Sequence, residues 1–335
     1  MKTSKYFIAM TVAALALSAC SNSDEPEVVD ITKPIELSVT PAVVTTRSLI
    51  SEGATSFEQD DAIGVYLGAP GTSASDEAPT ALTSGRYKNV EYTYGGSSWT
   101  GDKIYWQSGS YKHTIYAYYP FSGTGGTAVA ADKIAVSIAA DQTANGGKAY
   151  KDADYMWKQA VVAPTNTPLT ISLDHKMSLI KVTMKVGDGF KDLPEVAALT
   201  PAIHGTIYKA GTWDLTDGGI TATTEGGDAS FASIKPYIND KSSEGTASLT
   251  YYAIVVPGST FSSNAKFISL TATDGTSYVY NLKLEGDGSL VTATGTYYHF
   301  TLTANKSGIS LSSFNMAAWT PGTKDDNGKA DMVIN

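Results

Sequence analysis

The sequence predicts an all-β protein made of two β-sandwich domains. Short segments with an apolar residue at every second position recur along its 335 residues, which is the period of a strand with one buried face. Gly, Asn, Asp and Pro separate these segments, and no stretch keeps a helical period for more than about two turns. Antiparallel sheets with one apolar face are expected to stack face to face, so two blocks of such segments indicate two sandwiches.

The N-terminus has the pattern of a bacterial lipoprotein signal. An apolar run from Phe7 to Leu17 follows two lysines and is too short to span a bilayer as a mature helix. The letters Leu17-Ser18-Ala19-Cys20 match a lipobox, so we interpret residues 1–19 as a removable signal and expect Cys20 to carry fatty acyl chains such as palmitate. Several chains hold a protein on a membrane far better than one. The alternative is an Ala-Cys pair that follows an ordinary secretory signal by chance.

Residues 20–47 are predicted to be an acidic tether followed by a first β-strand. The segment from Ser21 to Asp30 is too acidic and too poor in apolar residues to fold by itself. Beyond it, the two-residue period indicates a half-buried strand whose inward residues are Ile35, Leu37, Val39 and Val43. Pro41 cannot donate a ladder hydrogen bond, which indicates an edge or a bulge at that point.

Arg47 directly follows this strand, and arginine is rare in the chain, since Arg86 is the only other one. A protease specific for arginine would therefore have few targets, and a cut between Arg47 and Ser48 would remove the whole first strand. Loss of a core strand ordinarily ruins a β-domain, so such a cut makes sense mainly if another strand takes its place. The sequence thus favours a subunit that polymerises by strand exchange.

The rest of the chain is divided into an N-terminal sandwich, 48–165, and a C-terminal sandwich, 166–335, because a Pro-rich break spans 164–168. Ile63–Leu67 and Ile115–Tyr119 are predicted core strands of the first block. In the second block, apolar alternation on both sides of Asp274-Gly275 predicts a hairpin, and Tyr297–Leu302 predicts a further strand.

The sequence offers little support for catalysis or for a cofactor. A net charge of −9 argues against a nucleic-acid partner. No nucleophile elbow, phosphate-binding loop or dinucleotide fingerprint is present. The histidines are far apart along the chain, and none has the spacing of a metal ligand pair. Cys20 is the only cysteine, so it can form no internal disulfide, and a lipid would occupy its sulfur. We therefore predict a non-enzymatic protein with no catalytic residues, metal or cofactor.

The tryptophans leave a second function open. Their rings could form a sugar-binding platform, although packing inside the sandwiches is the favoured explanation; they are Trp99, Trp106, Trp157, Trp213 and Trp319. The rival interpretation is a surface adhesin or glycan-binding lipoprotein that stays anchored and does not polymerise. A pilus anchor subunit would fit if Arg47 is never cut.

An ordered set of motifs carries a family resemblance. They are the lipobox at Cys20, Thr45-Thr46-Arg47, Asp60-Asp61-Ala62-Ile63-Gly64-Val65-Tyr66, Ile104-Tyr105-Trp106, Ile115-Tyr116-Ala117-Tyr118-Tyr119-Pro120, Asp154-Tyr155-Met156-Trp157, His175-Lys176-Met177-Ser178-Leu179-Ile180, Ala253-Ile254-Val255-Val256-Pro257-Gly258 and Gly295-Thr296-Tyr297-Tyr298-His299-Phe300. In this order they resemble the fimbrillin family of Bacteroidales, the subunits of type V pili.

The resemblance implies two transthyretin-like β-sandwich domains and export as a lipoprotein to the outer membrane. It also implies cleavage by an Arg-specific protease, followed by assembly into a fimbrium with other pilin subunits, through a donor strand from the C-terminal region of a neighbour. In this chain Met332, Val333 and Ile334 are the residues available for that strand, together with Met316–Trp319. A receptor on a host or bacterial surface is a further implied partner.

Overall fold

The computed structural model describes residues 35–37, 39–42, 57–72, 85–123, 134–226, 228–239, 248–284 and 288–319. Eleven strands come before residue 176: β1 (Glu36–Leu37), β2 (Val39–Ala42), β3 (Ala62–Pro70), β4 (Tyr87–Tyr94), β5 (Trp99–Gly101), β6 (Ile104–Tyr105), β7 (His113–Tyr119), β8 (Ile134–Ser137), β9 (Met156–Val162), β10 (Leu169–Ser172) and β11 (Asp174–His175).

The second half of the described chain is also built mainly of strands. They are β12 (Ser178–Val186), β13 (Thr200–Tyr208), β14 (Ala210–Trp213), β15 (Ile220–Ala222), β16 (Ser230–Ile234), β17 (Tyr237–Asn239), β18 (Ser248–Val255), β19 (Thr260–Ser262), β20 (Lys266–Thr271), β21 (Ser277–Asn281), β22 (Ser289–Val291), β23 (Thr296–Asn305) and β24 (Gly308–Ala318). The helices are short: a 3-10 turn at Ala144–Gly147, α1 (Lys148–Asp152) and α2 (Leu193–Ala197). The prediction of an all-β protein is confirmed.

Three sheets of five or more strands are present in the described part of the chain. The first has the order β11-β9-β7-β3-β4-β5, and it lies with two small pairs, β1-β6 and β2-β10, around one core. The second has the order β17-β18-β12-β23-β24, in which β12 and β23 run parallel. It packs with the sheet β21-β20-β13-β19-β22, which carries β16 on the other side of β13.

The local sequence patterns explain the strands that were predicted. Ile63–Leu67 lies within β3, Ile115–Tyr119 within β7 and Tyr297–Leu302 within β23. β20 and β21 form the predicted hairpin, with Thr271 opposite Ser277. Gly275 has a φ of +88° there, a conformation that glycine adopts without a steric cost. These four predictions are confirmed.

The central strand β7 is buried on both faces of its sheet, and all of its residues are inaccessible. Ile115, Ala117 and Tyr119 belong to what we call the first core. Tyr116 and Tyr118 point the other way, into the second core. The first core contains Leu37, Phe57, Ile63, Val65, Leu67, Tyr92, Ile104, Trp106, Ile115, Ala117, Tyr119, Met156, Ile171 and Leu173. The second core contains the buried residues of β12, β13, β18, β20 and β23, with Trp213 and Trp319.

The connection between β7 and β9 crosses to the later strands. β8 pairs with β14, with Val136 opposite Gly211. Further along, both amide atoms of the Gln142 side chain bond to the backbone of Ile254. After residue 165, β10 and β11 pair back onto β2 and β9. The division at 165/166 and the transthyretin-like description of each half remain predictions.

Candidate functional site

The site of interest is the first strand and the groove that holds it. The structure divides the predicted strand into two short strands with different partners. β1 pairs antiparallel with β6, with Leu37 opposite Ile104, and β2 pairs parallel with β10, from Val39 opposite Leu169 to Ala42 opposite Ser172. One short segment of the chain therefore supplies a strand to each of two pairs, β1-β6 and β2-β10. The predicted inward residue Val43 lies outside the described part of the chain.

Leu37 is the side chain that joins this strand to the first core. It is 2% exposed, while its neighbour Glu36 is on the exposed face, as the two-residue period predicted. Ile35 is half-buried against the same core, and its carbonyl accepts a hydrogen bond of 3.0 Å from the Trp106 backbone N–H. Burial of a leucine contributes roughly 1.5–3 kcal/mol. The first strand is therefore an integral part of the core.

Pro41 lies in β2, where it stands opposite Ile171. It has no N–H and cannot donate to a ladder. Among the strands that the structure describes, β2 pairs only with β10. Within that part of the chain, Pro41 therefore lies in an edge strand.

Phe57 fixes the chain just after the segment that contains Arg47. It is 5% exposed, and its ring lies 4.7 Å from Trp99 and 5.6 Å from Tyr119, edge-on in both cases. The Tyr119 hydroxyl donates a hydrogen bond of 3.0 Å to Asp61. Edge-to-face pairs of this kind add about 0.5–1.5 kcal/mol each beyond the burial of area. The anchor is built from residues that follow Arg47, so it stays in the chain when the first strand is removed.

Charged groups lie at the rim of the groove that holds the first strand, not in its interior. Lys103 and Glu36 form an exposed ion pair of 2.7 Å between β1 and the residue before β6. The hydrogen bond from this pair raises the pKa of Lys103. Burial, with smaller effects from Glu36 and Asp102, raises the pKa of Tyr92 to about 12. Tyr92 therefore lines the groove as a neutral phenol.

His113 begins β7 and lies beside Trp106, with 5.1 Å between the ring centroids. It is fully buried, and burial lowers its pKa from the usual 6.5. The folded protein therefore holds this imidazole neutral. Above pH 6.5 both the folded and the unfolded chain are neutral here, and the full stability is present.

We expect the stability to fall as the pH drops below 6.5, because the unfolded chain takes up a proton at His113 that the folded chain resists. The loss continues until the pH passes the lowered pKa of the folded state. Over this range the free energy of unfolding falls by no more than about 1.4 kcal/mol per pH unit. Urea midpoints at about pH 7.5 and pH 5.5 measure it. His113→Phe is the control, since it should shrink the difference between the two midpoints. An unchanged difference would contradict the assignment.

The tryptophans are packed inside the protein rather than arranged as a surface platform. Trp106, Trp157, Trp213 and Trp319 are each less than 9% exposed. Trp99 is half-buried against Phe57. The core-packing interpretation of these residues is therefore the one that the burial supports.

The described ranges contain no group of three His, Cys, Asp or Glu side chains placed to hold a metal ion. Within the same ranges, no helix has the length and apolar character needed to cross a membrane. Several site predictions fall outside these ranges; they are Cys20, Val43, Arg47, Ser48, Met332, Val333 and Ile334.

One cluster was missed by sequence reasoning. His175 is buried, its Nδ1 lies 2.6 Å from an Asp154 carboxylate oxygen, and its ring stacks on Trp319. Asp154 and His175 both occur in motifs that carry the family resemblance, which was the available signal. Nothing in the local pattern indicated that they meet Trp319.

Comparison with known proteins agrees with this architecture. The model of the fimbrillin-like family matches residues 46–319. A protein of Bacteroides ovatus named as a fimbrium tip subunit is 28% identical over 199 residues, which cover 54% of this chain and only 35% of that relative. The chain thus aligns with about a third of the relative's length.

Two crystal structures of Bacteroides proteins named for cell adhesion share the fold. The protein from Bacteroides uniformis has a TM-score of 0.58 at 21% identity, covering 86% of this chain and 99% of that chain. The one from Bacteroides ovatus has a TM-score of 0.56 at 19% identity, covering 86% of this chain and 98% of the other. With the family match across most of its length, this chain belongs to the fimbrillin-like family.

Proposed function

We propose that this protein is a structural subunit of a cell-surface fimbria that polymerises by strand exchange after cleavage at Arg47. Before cleavage, acyl chains on Cys20 anchor it in the outer membrane. An Arg-specific protease then removes residues 20–47, and a donor strand from another pilin subunit fills the groove. The subunit performs no catalysis and requires no cofactor.

The observation that carries this proposal is the composition of the first core. Of the buried residues that form it within the described ranges, Leu37 alone precedes residue 47. A cut at Arg47 would therefore remove Leu37 and half-buried Ile35 and leave the other residues of the first core in the chain. Phe57 and its aromatic neighbours would hold the new N-terminal region. The product is a folded domain with an open groove, which is what strand exchange requires.

The groove would also expose backbone hydrogen-bonding groups. Removal of β1 and β2 unpairs one edge of β6 and of β10. Unpaired strand edges bind other strands readily, and an incoming strand is selected by pockets for its alternate side chains. The pockets here are those of Ile35 and Leu37, two residues apart. Met332 and Ile334 have the same spacing.

The test uses the lipid-free protein from Ser21 onward, in an Arg86→Lys background, so that Arg47 is the only arginine. We expect an Arg-specific protease to remove the segment through Arg47, measured by intact mass, and ladders to follow on an unheated denaturing gel. Arg47→Lys is the matched control, since it keeps the charge but should be neither cut nor assembled. The double variant Met332→Ser, Ile334→Ser should be cut normally but form no ladders.

Two outcomes would overturn the proposal. One is assembly of the uncut Arg47→Lys protein to the same extent as the cut protein. The other is clean cutting with no ladders, either alone or with a purified second pilin subunit. That second result would favour an anchored adhesin, a glycan-binding lipoprotein or a pilus anchor. A surface receptor, on a host cell or another bacterium, would then be the partner to look for.

A further inference from the structure

The stacked pair of His175 and Trp319 lies where the described chain ends. The two rings are 3.9 Å apart at an angle of 3°, so they lie face to face. His175 is held from its other side, because its Nδ1 is 2.6 Å from an oxygen of buried Asp154. Trp319 is 4% exposed. A buried, parallel stack of this kind fixes the position of both rings.

The stack also fixes the end of β24. Trp319 directly follows that strand, and its backbone N–H donates a hydrogen bond of 2.5 Å to the Gly295 carbonyl. Gly295 has a φ of +60°, and a Cβ built on it would lie 2.9 Å from the His175 carbonyl. The turn before β23 therefore passes close against the backbone of His175. The end of β24 therefore contacts both this turn and His175, and the turn also contacts His175.

His175 ends an extended segment, residues 169–175, which begins with β10, the strand that pairs with β2. Burial alternates along it, and the inward row contains Leu169, Ile171, Leu173 and His175. Ile171 and Leu173 pack in the first core with Leu37. His175, the next residue in the row, contacts Trp319 of the second core. One short segment thus connects the two cores.

The first strand is what holds the beginning of that segment. Among the described strands, β2 alone pairs with β10. β11 keeps its own pairing, with His175 opposite Met156 in β9. Removal of β2 would therefore free β10 while β11 stays attached. The inward row would then lose its support at Leu169 and Ile171, and His175 would be held only through β11, Asp154 and the stack.

An open space lies beside the end of β24, the strand that Trp319 follows. An apolar cleft of about 520 Å³ borders Met316–Ala318 on the side of β22, and it is lined also by Leu284, Leu290, Val291 and Tyr298. Val291 is 55% exposed at this opening. The last residues of β24 are thus packed tightly at Trp319 and loosely next to it. The stack adds a side-chain contact to the β23 ladder and the Trp319–Gly295 hydrogen bond that hold them.

We propose that His175 and Trp319 are positioning residues that couple removal of the first strand to release of the end of β24. This inference rests on the proposed function, because it needs the cut at Arg47. In the intact subunit, β2 holds β10, the row holds His175, and His175 holds Trp319. When the first strand leaves, the stack separates. A single cut then opens the groove of one subunit and frees the C-terminal end that serves a neighbour.

Hydrogen exchange measured by mass spectrometry tests this coupling. The Arg86→Lys, Met332→Ser, Ile334→Ser protein is used, so that cut subunits stay unassembled and their amides are not covered by a neighbour. We expect cutting at Arg47 to raise the exchange rate at residues 316–319 by about tenfold, within the usual range of coupling between sites. Residues 169–172 should respond as well, and the β20–β21 hairpin should not.

Variants at Trp319 separate coupling from a purely structural role. In Trp319→Leu, which keeps an apolar side chain but cannot stack, exchange at 316–319 should be fast before cutting and should not rise afterwards. Trp319→Phe should restore the response to cutting. Asn315→Ala, on the exposed face of the same strand, is the matched control and should behave like the parent.

Three results would overturn the inference. The first is an unchanged rate at 316–319 after cutting, while 169–172 become exposed. The second is a rise of the same factor on cutting in Trp319→Leu as in the parent. The third is a Trp319→Phe protein that behaves like Trp319→Leu. Ladder formation is scored separately in protein with Met332 and Ile334 intact, so failure of assembly and failure of coupling are distinguishable.

Discussion

Leu37→Ala is expected to lower the free energy of unfolding of the uncut protein by about 2–5 kcal/mol, the usual cost of truncating a buried leucine. Leu37 is 2% exposed in the first core, and it stands opposite Ile104, which is fully buried. The wall around it consists largely of large rings and β-branched side chains on paired strands, which cannot collapse easily into the space. Urea unfolding, followed by tryptophan fluorescence in an Arg47→Lys background, measures the loss.

The same substitution should have no effect once the protein has been cut. Residue 37 would leave with the first strand, so fibres made from Leu37→Ala protein should be as stable to denaturant as fibres of the parent. Glu36→Ala is the matched control, because its side chain points out of the groove and its ion pair with Lys103 is exposed. A Leu37→Ala midpoint equal to that of Glu36→Ala would show that the first strand does not complete the core.

The alternation Ile35, Leu37 could be read from the sequence because the period of a strand is a local property. In the structure, Leu37 lies in the first core and Ile35 is half-buried against it. The division of the strand between β6 and β10 could not be predicted in the same way. Pairing partners far apart in sequence are decided by packing of the whole sandwich, and short apolar segments are compatible with many partners.

The same distinction applies to the remaining fold. The hairpin of β20 and β21 was predictable because Asp274-Gly275 fixes the turn and thereby the register. The parallel pairing of β12 with β23 has no local signal, since a long connection separates them. The stack of His175 on Trp319 likewise depends on where two distant strands end. Sequence reasoning therefore located the first strand and missed the cluster proposed to communicate with it.

Gln142 belongs to no recognised motif, yet its side chain satisfies the backbone of a buried strand. The pairing of β17 with β18 reaches Tyr237 opposite Tyr252. Two residues further along β18, the backbone of Ile254 bonds to the Gln142 side chain, which donates to the carbonyl at 2.6 Å and accepts from the N–H at 3.0 Å. A side-chain amide has the same donor and acceptor as a peptide group. Gln142 therefore continues the ladder beyond Tyr237, the first residue of β17.

Gln142→Leu is expected to lower the free energy of unfolding by about 2–6 kcal/mol, because it leaves two buried backbone groups unpaired at roughly 1–3 kcal/mol each. Leucine has a similar size, so the loss would come from hydrogen bonding and not from a cavity. Asp141→Asn is the control on the same segment. Its ion pair with Lys235 is half exposed, and the change should cost less than about 1 kcal/mol. The measurement is again the urea midpoint.

The two substitutions also test how far the cores are independent. Leu37 belongs to the first core, whereas Ile254 belongs to the second. Losses at sites without shared partners usually add to within about 0.5 kcal/mol, so the double variant Leu37→Ala, Gln142→Leu should lose the sum. A loss clearly smaller than the sum would mean that the sheet of β3 and β7, which is buried on both faces, transmits strain between the cores. A Gln142→Leu protein as stable as Asp141→Asn would show that the ladder does not need its amide.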